Sequence, residues 1–129
     1  MRVFKNAWFE RFSRKQHISD KALLEAVERA ENGQVDADLG GGVIKQRIAR
    51  KGQGKSGGFR TVILYRTGER AFFVYGFAKS DRDNIDDDEE VQFKKAAVHV
   101  LGLADEQLAE LIGKGHFSEV LENGEKIPE

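Results

Sequence analysis

Three runs in the middle of the chain are rich in β-branched and aromatic residues, and they constrain the fold more than any other feature. They span Val43 to Ala49, Phe59 to Thr67 and Arg70 to Lys79. Residues of these types favour strands, and Thr67-Gly68-Glu69, between the last two runs, is typical of a tight hairpin turn. The runs predict three antiparallel strands, or four if Arg2 to Phe4 adds another.

Helical patterns flank the predicted strands on both sides. Before the strands, Asn6 and Ser19 are suited to cap two helices. After them, apolar residues at three- and four-residue spacing run from Phe93 to Leu101, and Asp105 is suited to cap a further short helix. The patterns predict an α+β fold with an N-terminal helical hairpin, an antiparallel sheet of three to four strands, and a C-terminal helix or helices.

The length of 129 residues fits a single domain. Within it we expect a core over residues 2–103, a C-terminal helical extension over 104–121, and a polar tail over 122–129 that frays. Charged residues interrupt the first part of the chain every few positions, which is not the pattern of a signal peptide or a membrane span. We therefore expect a cytoplasmic protein that does not contact a membrane.

The charge of the chain is unevenly distributed. In total, 21 basic and 22 acidic residues nearly cancel. Between Leu39 and Gly68, however, there are seven cations and no carboxylate. A concentrated positive block of this kind favours binding to phosphate groups. The seven cations are Lys45, Arg47, Arg50, Lys51, Lys55, Arg60 and Arg66.

Part of the positive block falls on predicted strands, which hold side chains more rigidly than a loop does. Lys45 and Arg47 are two residues apart, so they project from the same face of their strand. Arg60 stands where the next strand begins, after a glycine-rich loop. On the third strand, Tyr75 and Lys79 also share one face and would add stacking and a further cation. Such a surface is predicted to grip the backbone of RNA.

The same surface also suits cleavage of RNA. Arginine and lysine hold phosphate oxygens and stabilise the extra negative charge of a pentavalent transition state. RNA supplies its own nucleophile, the 2′-hydroxyl group, so the enzyme needs alignment, charge stabilisation and proton transfer rather than a metal.

No metal site or cofactor is predicted. The chain has no cysteine, and its three histidines lie in separate predicted elements without the spacing of metal ligands. Gly54-Lys55-Ser56 resembles the end of a phosphate loop, but Ala49 stands where that motif requires a glycine, and a strand rather than a helix follows.

Three segments together resemble the RelE/HigB-like toxins of type II toxin–antitoxin modules. They are the Lys-x-Arg strand at 43–48, the Gly-Lys-x-Gly-Gly-x-Arg turn at 54–60, and the Tyr-Gly-x-x-Lys strand at 74–79. The likeness is strong from about Gly40 to Ile85. It implies a RelE/ParE-like fold and an endoribonuclease that cuts messenger RNA on the translating ribosome until a cognate antitoxin sequesters it. The antitoxin is expected to be a helix-turn-helix protein encoded nearby.

Roles for single residues follow from this resemblance. Lys45, Arg47, Arg60 and Lys79 match cations that contact and cleave the message. Arg82 is a stand-in for a further arginine, and Tyr75 for a tyrosine that the best-studied members carry after the last strand. The cations predicted to dock to ribosomal or message phosphates are Arg50, Lys51 and Lys55.

Two other functions fit the sequence. ParE-like toxins share the fold and inhibit DNA gyrase without cutting nucleic acid. A non-catalytic module could use the same basic face only to bind RNA or the ribosome. The cations on the predicted sheet favour cleavage over gyrase inhibition, and they do not separate cleavage from binding.

Overall fold

The computed structural model of the protein describes residues 1–50 and 57–121. Within these ranges the chain forms four helices and one six-stranded sheet. The helices are α1 (Ala7–Lys15), α2 (Asp20–Glu31), α3 (Asp87–Leu101) and α4 (Asp105–Gly113). The strands are β1 (Arg2–Asn6), β2 (Ala37–Gly40), β3 (Val43–Ile48), β4 (Phe59–Arg66), β5 (Arg70–Ala78) and β6 (Phe117–Val120).

The sheet is larger than predicted, and it is mixed rather than antiparallel. Its strand order is β2-β3-β4-β5-β1-β6, and β1 runs parallel to β5. The three central strands are antiparallel, as predicted. The predicted number of three to four strands was wrong, and so was the antiparallel direction for the pairing of β1. Strands β2 and β6 have only four residues each, and so short a run carries little periodicity. Strand β5 pairs with β1 only after the chain has formed β2, β3 and β4, so no hairpin turn joins these two strands and they can be parallel.

The first two helices begin where the sequence predicts. The side chain of Asn6 accepts a hydrogen bond from the backbone of Phe9 at 2.8 Å, and that of Ser19 accepts one from Ala22 at 3.1 Å. These bonds satisfy backbone donors that have no partner within the helix. The two helices do not form a packed hairpin, however, because α1 packs mainly on β5 and α2 mainly on β3.

Two apolar layers form the core, one on each face of the sheet. On one face, which we call the α2 face, helices α1 and α2 cover the sheet, and Phe9, Leu23 and Phe73 are fully buried. On the other, the α3 face, helices α3 and α4 cover the sheet, and Phe72 and Leu108 are fully buried. A sheet covered on both faces explains why β4 and β5 are nearly continuous apolar runs.

The C-terminal segment belongs to the sheet and is not a purely helical extension. Residues 104–121 contain α4 and then β6, which pairs with β1 in antiparallel register from Asn6↔Phe117 to Val3↔Val120. Ala104 occupies the N-cap position of helix α4 without a side-chain cap, and its backbone N–H donates to Gln107 at 2.9 Å. Asp105, the predicted cap, lies in the first turn. The predicted frayed tail, 122–129, lies outside the described residues. Over the described ranges, no helix is both long and apolar enough to cross a membrane.

An ionic cluster ties β1 to both helices of the α2 face. Lys5 is buried, and its ammonium lies 2.7 Å from Glu10 of α1 and 3.1 Å from Asp20 of α2. Burial alone would lower the pKa of Lys5, but its hydrogen bonds to the two carboxylates outweigh burial, so that pKa is raised. The hydrogen bond from Lys5 lowers the pKa of Glu10.

We expect Glu10→Gln to destabilise the fold at pH 7 by about 1 kcal/mol, a modest effect because water screens the partly exposed Glu10. A carboxylate whose pKa is lowered on folding stabilises the protein above its ordinary pKa, and this contribution disappears as pH falls through the lowered value. The difference from wild type should therefore shrink below about pH 4 in urea unfolding. Glu28→Gln, at an exposed position of α2, is the control; a constant difference between pH 7 and pH 3 would contradict the assignment.

Candidate nucleic-acid interface

The strand-borne cations predicted to contact RNA meet on the α3 face of the sheet. Arg47 of β3 lies opposite Arg60 of β4, which lies opposite Phe77 of β5. In the next row, Lys45 lies opposite Val62, and Val62 lies opposite Tyr75. Cross-strand neighbours project from the same face, so three cations from two strands and two aromatic rings from a third occupy one surface. We call Lys45, Arg47 and Arg60 the cation cluster.

Helix α3 leaves this end of the sheet accessible. Its C-terminal half lies over the start of β3, because a Cβ added to Gly42 would lie 2.8 Å from Leu101 of α3. The cation cluster lies further along β3 and at the start of β4, where α3 does not cover the face. A groove of about 250 Å³ opens there, and its lining includes all three cations of the cluster.

Asp36 anchors Arg47 from the loop before β2. Its carboxylate accepts a hydrogen bond from the backbone N–H of Arg47 at 2.6 Å and lies 3.4 Å from the guanidinium. The backbone N–H of Asp36 in turn donates to the side chain of the buried Gln46 at 2.7 Å. One guanidinium nitrogen of Arg47 is thus paired with Asp36. The side chain is still 48% exposed, so its guanidinium can be reached by a ligand.

Arg60 carries an unused hydrogen-bond donor. Its side chain is half-buried, and its buried Nη1 atom has no hydrogen-bond partner among residues 1–50 and 57–121. An unpaired buried polar group of this kind costs about 1–3 kcal/mol. A phosphate oxygen would supply the missing acceptor, and the paired N–H groups of a guanidinium match phosphate geometry. Arg60 is therefore the strongest candidate in the cluster for direct contact with an anion.

Arg82 occupies the surface beside Tyr75 and Phe77 but is largely engaged by protein groups. Its guanidinium lies 5.8 Å from the centre of the Tyr75 ring and 5.5 Å from that of Phe77. It donates to the Tyr75 hydroxyl at 3.0 Å, to the backbone oxygen of Asn84 at 2.9 Å, and to both carboxylate oxygens of Glu89. The hydrogen bond with Glu89 raises the pKa of Arg82 and lowers the pKa of Glu89.

Tyr75 is packed between aromatic rings, and its hydroxyl contacts Arg82. Its ring centre lies 4.7 Å from that of Trp8, 5.9 Å from that of Phe93 and 6.1 Å from that of Phe77. The hydroxyl accepts a hydrogen bond from Arg82, so its own proton is available for donation.

The remaining predicted contacts lie at the edge of this surface or outside the described residues. Lys79 is exposed and follows the last residue of β5, and its backbone N–H donates to Gly58 at 3.2 Å. Arg50 is exposed, with its guanidinium 5.6 Å from the centre of the Phe59 ring. Lys51 and Lys55 lie outside the described residues, so their predicted docking role stays a prediction.

Sequence reasoning missed the polar residues that hold these cations. Asp36 anchors Arg47, Asn84 accepts from Lys45, and Glu89 pairs with Arg82. Glu89 had a detectable signal, because it stands three residues after Asp86 in a capping box at the start of α3. The contact between Asn84 and Lys45 joins residues 39 positions apart, and no local pattern predicts it. In residues 1–50 and 57–121, no cluster of acidic or histidine side chains is arranged to hold a metal ion.

The protein is thus an α+β domain whose sheet carries three cations, Lys45, Arg47 and Arg60, close together on one face. The sequence model of the family described as the RelE toxin of the RelE/RelB toxin–antitoxin system matches residues 1–120. The protein therefore belongs to the RelE family of toxin–antitoxin toxins. The match extends beyond the segment from Gly40 to Ile85 that carries the sequence resemblance, and it includes β6. No curated protein matches the chain in sequence.

Proposed function

We propose that the protein is a ribosome-dependent endoribonuclease that cuts messenger RNA without a metal and is neutralised by a cognate antitoxin. The observation that carries the proposal is the cation cluster, in which Arg60 lies beside Lys45 and Arg47 and has a buried N–H that finds no partner in the described part of the chain. Dependence on the ribosome, and a helix-turn-helix antitoxin encoded nearby, rest on the likeness to RelE and HigB toxins. An enzyme that acts on translating ribosomes would work in the cytoplasm.

The cluster supports transfer of the RNA phosphodiester to its own 2′-oxygen. The 2′-hydroxyl gives up its proton to solvent water as the 2′-oxygen forms a bond to phosphorus, and the bond from phosphorus to the 5′-oxygen breaks. Arg60 and Arg47 stand opposite each other on neighbouring strands, where they can hold the two non-bridging oxygens as charge builds on them. The departing 5′-oxygen must receive a proton, and the Tyr75 hydroxyl is a candidate donor because its own hydrogen is not committed to Arg82.

The proposed function and its two alternatives, gyrase inhibition and RNA binding without cleavage, predict different results in one experiment. The protein is incubated with ribosomes that translate a defined message, and the message is mapped by primer extension. Gyrase supercoiling is measured in parallel. Cuts within the translated region with unaffected gyrase support the proposal. Intact message with inhibited gyrase would support a ParE-like toxin, and intact message with bound RNA would support a non-catalytic module.

Phosphate binding by the cluster can be measured apart from cleavage. Each phosphate contact that is lost should reduce the salt slope of binding to single-stranded RNA by about 0.7. We expect this change for Arg47→Ala, measured by fluorescence anisotropy on a 2′-O-methyl oligonucleotide that cannot be cut. Lys15→Ala, which removes an exposed cation from α1, should leave the slope unchanged. An unchanged slope for Arg47→Ala would exclude a phosphate contact for that residue.

A further inference from the structure

The turn between β5 and α3 brings one neutral side chain onto the cation cluster. The side-chain oxygen Oδ1 of Asn84 accepts a hydrogen bond from Nζ of Lys45 at 2.9 Å and another from the backbone N–H of Ile85 at 2.9 Å. Both neighbours of this atom are donors, which fixes the orientation of the amide group. Asn84 is exposed, so this contact lies at the surface where RNA would bind.

Asn84 is itself held from two sides. Its backbone oxygen accepts a hydrogen bond from Nε of Arg82 at 2.9 Å, and Arg82 is fixed by Glu89 at the start of α3. The next residue, Ile85, is buried in the apolar core of the α3 face. The acceptor that Lys45 meets is therefore part of the packed protein and not of a loose loop.

A lysine in a catalytic cluster benefits from such an acceptor. Its four-carbon stem is flexible, and ordering it costs rotamer entropy. A neutral amide orders the ammonium through one of its three hydrogens and leaves the other two, and the full positive charge, for phosphate oxygens. A carboxylate would compete with phosphate for the same charge. Position 84 carries an amide although Asp83 and Asp86 stand on either side of it in the same turn.

We propose that Asn84 is a positioning residue that holds the Lys45 ammonium in the geometry used on RNA, an inference that rests on the proposed function. Removal of the amide should slow cleavage, because misplacing a catalytic group by about 1 Å can cost up to 100-fold in rate. Asn84 is exposed, so we expect the loss to act through Lys45. Because Asn84→Ala also removes the acceptor of the Ile85 backbone N–H, Tm is measured for each variant.

The test is a double-mutant cycle with a second readout that does not need cleavage. Single-turnover cleavage of a translated message is measured for wild type, Asn84→Ala, Lys45→Ala and the double variant. We expect Asn84→Ala to slow cleavage about tenfold and to have no further effect when Lys45 is already alanine. In parallel, acylation of the Lys45 amine is followed by mass spectrometry, and Asn84→Ala should change its rate about 2–10-fold, the equivalent of one hydrogen bond. Ser80→Ala, in the same turn, is the control.

The outcomes separate this inference from the proposed function. Equal acylation of Lys45 in wild type and Asn84→Ala would overturn the inference alone, because the contact would then be absent. An equal loss of cleavage in both backgrounds, with a lowered Tm, would also overturn it by showing a purely structural role. Intact message with wild-type protein would overturn the proposed function and this inference together, whatever the acylation result.

Discussion

Replacing Arg60 by methionine is expected to slow ribosome-dependent cleavage by at least about 100-fold, the loss typical of one removed donor to a transition-state oxyanion. The same change should leave the fold as stable as wild type or slightly more stable. Methionine keeps the aliphatic packing of the half-buried side chain, and it removes the buried Nη1, for which the described residues provide no partner. Cleavage is measured in single turnover and stability by urea unfolding.

Arg66→Met is the matched control for this substitution. Arg66 lies on β4, six residues from Arg60 and hence on the same face by strand alternation. It is exposed, and its nearest carboxylate, that of Glu69, is 3.9 Å away. We expect Arg66→Met to retain cleavage. If Arg60→Met retained cleavage as well, or if it unfolded the protein, the assignment of Arg60 as the unsatisfied phosphate ligand would be wrong.

The second large effect is expected at Gly58, the last glycine before β4. A Cβ at this position would overlap the backbone oxygen of Ile48 at the end of β3, and backbone cannot move aside as a side chain can. The Gly58 carbonyl also accepts the backbone N–H of Lys79. Gly58→Ala should therefore displace the start of β4 and cost about 3 kcal/mol or more, which lowers Tm by about 10 °C.

Gly113→Ala provides the comparison for Gly58→Ala. Gly113 is the last residue of α4, and a Cβ there would meet no atom within 4 Å. Alanine at this position should keep or raise Tm, because it reduces the entropy of the unfolded chain. Circular dichroism melts of both variants test the pair. A Gly58→Ala variant with the Tm of wild type would show that the close approach of β3 and β4 is not required.

The parts of the fold that depend on local pattern could be predicted from the sequence. The three central strands lie within one residue of their predicted bounds, because alternation and turn residues are local signals. The same alternation correctly placed Lys45 and Arg47 on one face. The strands β2 and β6 were missed because each is short and depends on a distant partner. The parallel pairing of β1 with β5 likewise follows from topology and not from any run of residues.

In the candidate site, too, some residues could be predicted from local sequence and others could not. The identity of the cations came from composition and a recognisable motif, whereas the groups that hold them came only from the structure. Arg82 illustrates the difference, since the sequence suggested a cation for RNA and the structure shows four hydrogen bonds from it to Asn84, Tyr75 and Glu89. We therefore infer that Arg82 organises the turn that carries Asn84. Hydrogen bonds such as these join residues from separate elements, and the spacing of apolar residues along the sequence does not predict them.

The most direct test of the proposed function uses the chemistry of the RNA itself. Ribosomes are programmed with a defined message, the cut is mapped with the wild-type protein, and the message is rebuilt with one 2′-deoxyribose on the 5′ side of that cut. We expect the ribose message to be cut to leave a 2′,3′-cyclic phosphate, and the deoxy message to resist at that position. Equal cutting of both messages would contradict the role of the 2′-hydroxyl, and an intact ribose message would contradict the endoribonuclease itself.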